Sequence, residues 1–134
     1  MRIFRALLTT AAVAGTLLGT TVTADAAVTT PWRMTYGATL AAGSISWGDG
    51  RSATVSGSLH AVSGTREVCS WGVNGPDTSL VKCTSAAAGT NATISHGHTI
   101  DKVGGVQLIY INLSAGTTDL HQLACTRSGC TQQY

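Results

Sequence analysis

Large side chains are scarce in this chain of 134 residues, which holds one Phe, three Trp and three Tyr. The lone Phe, Phe4, sits near the N-terminus. The core beyond it must therefore be aliphatic, with tryptophan supplying the few bulky pieces. Charge is also scarce. Eight Lys/Arg against six Asp/Glu leave a net charge of +2. No basic stripe suits nucleic acid, and no polybasic cluster suits an anionic membrane. Helical periodicity is missing, since no stretch after Ala27 repeats apolar residues at 3, 4 and 7 spacing over three turns.

Nucleophile motifs are missing as well. There is no G-x-S-x-G. Ser79-Leu80-Val81-Lys82 matches S-x-x-K in letters but falls in an expected strand, where positions three apart face opposite sides. The carboxylates Asp49, Glu67, Asp77, Asp101 and Asp119 are scattered, mostly at turns. We therefore expect no catalytic residue, no metal and no cofactor, and a partner that is a small molecule, a glycan or a protein.

One apolar run stands out. Residues 6–18 follow the basic start Met1-Arg2-Ile3-Phe4-Arg5 and precede Ala24-Asp25-Ala26. The run is too short to span a bilayer, and the A-x-A triplet marks a cleavage site. The segment 1–26 reads as a secretory signal peptide and 27–134 as one secreted domain with no further membrane span. Fifteen Thr and twelve Ser in those 108 residues outnumber the charged side chains. Such a surface suits pleated, half-buried strands.

Period-2 alternation recurs, with turn residues every 8–12 positions, which predicts a single antiparallel β-sandwich of about eight strands, immunoglobulin-like or similar. Expected strands cover 32–40, 44–47, 53–61, 67–73, 79–84, 92–96, 99–103, 106–113 and 120–126. The run 106–113 is nearly all apolar and reads as a central strand covered on both faces.

Four cysteines, Cys69, Cys83, Cys125 and Cys130, meet an oxidising compartment and read as disulfides. Around the turn Asn74-Gly75-Pro76-Asp77, a hairpin centred on Pro76 sets Cys69 opposite Cys83 and Trp71 opposite Val81. Cys125 and Cys130 enclose four residues ending in Gly129. Local pairing is the favoured connectivity of the three that four cysteines allow.

His96-Gly97-His98 puts two imidazoles on one strand face. They are a candidate chelating pair, or satisfied imidazoles near turns. Trp47 and Trp71 are expected in the core, Trp71 beside the hairpin disulfide. Trp32 and Tyr36, nearer the mature terminus, are candidate ligand contacts together with His96 and His98.

The pattern Ser44-Ile45-Ser46-Trp47, a Gly turn, Ala53-Thr54-Val55-Ser56-Gly57-Ser58, then Cys69-Ser70-Trp71 is similar to small secreted actinobacterial β-sandwich proteins of no established function. Cys69-Ser70-Trp71 with Cys83, and Cys-x4-Cys at Cys125 and Cys130, also resemble the apoproteins of enediyne antibiotics of the neocarzinostatin type. That second resemblance implies an immunoglobulin-like sandwich carrying a small ligand between its sheets. The overall expectation is a non-enzymatic binding or cell-surface module. The alternatives are such a carrier, or a protease inhibitor acting through the turn Asn74-Gly75-Pro76-Asp77.

Overall fold

A computed structural model describes residues 28–48 and 50–134. The expected signal peptide lies outside the described residues. Among the described residues ten strands form: β1 (Val28–Tyr36), β2 (Thr39–Trp47), β3 (Ser52–His60), β4 (Arg66–Asn74), β5 (Asp77–Thr78), β6 (Lys82–Ala86), β7 (Asn91–Thr99), β8 (Leu108–Ala115), β9 (Thr118–Thr126) and β10 (Gly129–Gln132). They make two antiparallel sheets packed as a sandwich. One runs β1-β2-β3-β7, and the other runs β10-β9-β8-β4, with β5 and β6 both pairing with β4.

Several strand boundaries differ from expectation. The first strand ends at Tyr36 because Gly37, at φ 57°, turns the chain into β2. The strands expected on either side of Gly97 are one continuous strand, β7. β8 is central but alternates between buried and half-buried positions, so only one of its faces is covered by the other sheet.

The space between the sheets is filled. Met34, Ile45, Val55 and Leu59 from one sheet meet Val68, Ile109, Ile111 and Leu113 from the other, all at 1% exposure or less. At the middle of the first sheet, Trp32, Gly43, Gly57 and Ile94 stand in one cross-strand row. A Cβ at Gly43 would fall 1.8 Å from the Ser56 carbonyl oxygen, and one at Gly57 2.2 Å from that of Ala42. The strands approach so closely there that only glycine fits. The two missing side chains leave inward room beside Trp32, which is 3% exposed.

Polar ties close the sandwich at both open sides. At the β1 side, Trp47 Nε1 donates to Thr30 Oγ1 at 2.9 Å, and Thr30 Oγ1 donates to the Thr126 carbonyl of β9 at 2.8 Å. At the β7 side, the tie is a cluster of histidines and hydroxyls. Both disulfides pair as favoured, Cys69–Cys83 across β4 and β6 and Cys125–Cys130 across β9 and β10.

Candidate functional site

The hairpin β4–β6 builds the histidine cluster through a fault in its own register. Near the turn, Asn74 faces Asp77 and Val73 faces Thr78. Farther along, Ser70 faces Lys82 and Cys69 faces Cys83. The two registers differ by one residue, so the segment 79–81 leaves the ladder. Ser79 N–H still donates to the Gly72 carbonyl at 2.9 Å. Gly72 N–H, lacking a facing carbonyl, donates to Ser79 Oγ at 2.7 Å. Leu80 and Val81 are pushed outward, at 82% and 59% exposure. Val81 is thus not the cross-strand neighbour of Trp71 that a symmetric hairpin predicts.

Ser70 points inward from β4 and meets β7. Its Oγ lies 2.8 Å from His96 Nδ1 and 2.8 Å from His98 Nε2. His98 Nδ1 lies 2.9 Å from Ser79 Oγ, and His96 Nε2 lies 2.8 Å from Thr84 Oγ1. The order along the chain of bonds is Ser79, His98, Ser70, His96, Thr84. Each neutral imidazole has one donor and one acceptor, and each hydroxyl can do both. A single direction of donation therefore satisfies every member, in either sense. That closure is what allows Ser70 at 0%, His96 at 3% and His98 at 1% exposure.

Burial holds both imidazoles neutral. The proton affinity of His98 falls to a pKa of about 4, first by desolvation, then by repulsion from His96 and Lys82. His96 is lowered by desolvation and then by Lys82. The unfolded chain therefore binds protons that the folded one refuses. The stability that this represents is complete above pH 6.5 and is lost as pH falls toward 4. At about 1.4 kcal/mol per pH unit for one histidine, roughly 2 kcal/mol is gone by pH 5. His96 adds a loss in the same direction. Urea unfolding at pH 7.5 and pH 5 checks this; equal midpoints would contradict buried, neutral histidines.

The two imidazoles do share a face, as their spacing predicts. The point between them is taken by Ser70 Oγ, so a chelated ion would have to displace that hydroxyl. Among the described residues, the one group of three metal-type ligands in reach is Glu67, Cys69 and Cys83, and both of those sulfurs are spent in the disulfide.

The register fault also opens a cleft of about 240 Å³ lined by Ser79, Leu80, Lys82, Gly97, His98 and Thr99. Ser79 and Lys82, expected on opposite faces of a strand, both reach this cleft because 79–81 is not strand. Trp32 is buried rather than available to a ligand, and Tyr36 is 49% exposed, away from this cluster on the first hairpin.

Trp71 is placed differently from expectation. On β4 the inward positions are Val68, Ser70 and Gly72, while Cys69, Trp71 and Val73 face outward and are half-buried. Trp71 stands opposite Tyr110 of β8 and stacks on it, with ring centroids 5.4 Å apart and planes 26° from parallel. Ala124 of β9 and Thr131 of β10 continue this row, and Asn112 and Gln122 stand opposite one another in the next, with Cys69. Asn112 is held by donating to Asp119 at 2.9 Å and accepting from the Tyr134 hydroxyl at 3.1 Å. No known protein family, no curated protein and no solved structure matches the chain.

Proposed function

We propose that the protein is a secreted, non-catalytic binding module that holds a glycan against the outer face of its six-stranded sheet. The observation that carries this reading is the Trp71–Tyr110 stack on the side of the sheet away from the core. The stacked pair puts an apolar aromatic surface on this face, against which the C–H face of a sugar ring can pack. The amides of Asn112 and Gln122 stand one row along, about 7 Å away for two residues of antiparallel strand. That distance suits hydroxyl contacts at the rim of the same sugar or its neighbour. The basic start, the apolar run and the A-x-A triplet support export, and the two disulfides are compatible with an extracellular protein.

The other readings have less behind them. A ligand carrier needs room between the sheets, and that space is packed with aliphatic side chains. An inhibitor needs a free loop at Asn74-Gly75-Pro76-Asp77. Asn74 Nδ2 instead donates to the Val103 and Gly105 carbonyls, and Asp77 pairs with Lys102. The histidine cluster makes a poor hydrolase. Ser70 is inaccessible, and among the described residues no carboxylate touches either imidazole to stabilise its charged form.

Electrophoresis through gels containing cellulose, chitin or peptidoglycan fragments tests the proposal. At least one should retard the protein, and Trp71→Ala should weaken retention at least tenfold, about 1.4 kcal/mol. The same variant should lose only about 1 kcal/mol of stability, the worth of an outer-face aromatic pair. Migration unaffected by every polysaccharide would defeat the reading.

A further inference from the structure

We propose a second binding site, in the cleft beside the hairpin register fault, for a small carboxylate with a short apolar tail. It is separate from the aromatic face and does not depend on it.

Lys82 supplies the positive charge of the cleft. It opens β6, opposite Ser70, and its ammonium lies across β7 at Gly97, 4.0 Å from where a Cβ would stand. Because Gly97 has no side chain, the cleft remains open at that point. Two carboxylates lie close by in sequence, each two residues from a lining residue, but both are engaged. Asp77 pairs with Lys102, and Asp101 pairs with Arg51. Among the described residues Lys82 has no acidic partner.

The rest of the lining is polar on one side and apolar on the other. Ser79 and Thr99 bring hydroxyls, and His98 brings an imidazole whose titratable neighbours are His96 on its own strand and Lys82 on β6. Among the described residues no acid lines the cleft. A concave site with low-dielectric walls and one uncompensated cation focuses positive potential and concentrates anions. Leu80 adds an apolar wall that is otherwise 82% exposed to water. The volume falls below the roughly 300–1,000 Å³ that takes a drug-sized ligand, which limits the occupant to a smaller molecule. A carboxylate meeting Lys82 with its tail against Leu80 satisfies both features.

Binding there must be coupled to the histidines. An anion offsets the repulsion that Lys82 exerts on His98, so a bound carboxylate should make His98 easier to protonate. By reciprocity, a protonated His98 should hold the ionised carboxylate more tightly than a neutral one.

The test uses the mature protein and three probes: butyrate, butyramide and inorganic phosphate. Butyrate should saturate chemical-shift changes of Thr99 and the His98 ring, and should raise the pH at which that ring titrates. Butyramide should leave both unchanged, and phosphate should bind more weakly than butyrate. Lys82→Gln should weaken butyrate about tenfold, the worth of one charge-assisted contact. Gly97→Val fills the cleft without touching the charge and should abolish binding. Both positions are exposed, so the variants should fold, and an unchanged amide spectrum verifies it. Butyrate binding that survives both variants, equal binding of butyramide, or no saturable shift overturns the site. Phosphate binding as tightly as butyrate overturns the apolar half of the assignment.

Discussion

Reduction of both disulfides should lower the free energy of unfolding by roughly 5 kcal/mol in the chain-entropy account. Cys69–Cys83 closes a 15-residue loop and contributes about 3 kcal/mol; the smaller Cys125–Cys130 ring contributes about 2 kcal/mol. A domain of this size typically has 5–15 kcal/mol in all, so the reduced protein should be near its unfolding threshold. The larger share has a structural reason beyond chain entropy. Cys69–Cys83 clamps β6 to β4 just beyond the segment where their ladder breaks, and β6 carries Thr84, the end of the histidine cluster. Urea unfolding with and without reductant measures the loss. An unchanged midpoint would show that the crosslinks lie in a region that unfolds independently of the core.

Trp32→Ala should be nearly as damaging, at about 3 kcal/mol. The ring is 3% exposed, and no larger side chain lies beside it in its row, only Gly43. Truncation leaves a cavity that those glycines cannot fill, and Trp-to-Ala changes in cores cost about 3–5 kcal/mol. The low end applies because the indole N–H is buried without a partner, and removing it recovers part of that cost. Trp32→Phe should therefore lose far less than the alanine variant. Melting temperatures of Trp32→Ala, Trp32→Phe and Trp71→Ala decide the ranking. If Trp71→Ala were the most damaging, the inward and outward faces of β4 would be reversed.

The same tryptophans show how far the sequence could be read. Alternation through Ala53, Val55 and Leu59 predicts β3 and its buried face, and the structure has both. Alternation also groups Cys69, Trp71 and Val73 on one face of β4, correctly. Hydrophobicity then assigns that face to the core, and the assignment fails. The inward face carries Ser70 and Gly72 instead, because two imidazoles and Ser79 occupy the space beside them. A buried polar cluster is satisfied by partners distant in sequence, and no local pattern displays it.

The register fault is legible only once the turn is placed at Gly75-Pro76, as the structure has it, and not centred on Pro76. A tight turn at Gly75-Pro76 sets Cys69 opposite Lys82, whereas a Cys69–Cys83 bridge requires one more residue on the returning strand. That single-residue conflict demands a bulge, and it locates one between Thr78 and Lys82. The position of the Trp32 ring was less accessible. It depends on Gly43 and Gly57 standing side by side, which only the pairing of β2 with β3 reveals.

Acrylamide quenching of tryptophan fluorescence tests the proposed recognition face most directly. Trp32 and Trp47 are 3% and 2% exposed, so Trp71 should be the one quenchable ring. Adding a soluble fragment of the polysaccharide that retards the protein should protect that ring, and the Trp71→Phe variant should show no quenchable fraction. Quenching that is unchanged when the fragment is bound would place the glycan elsewhere and contradict the account.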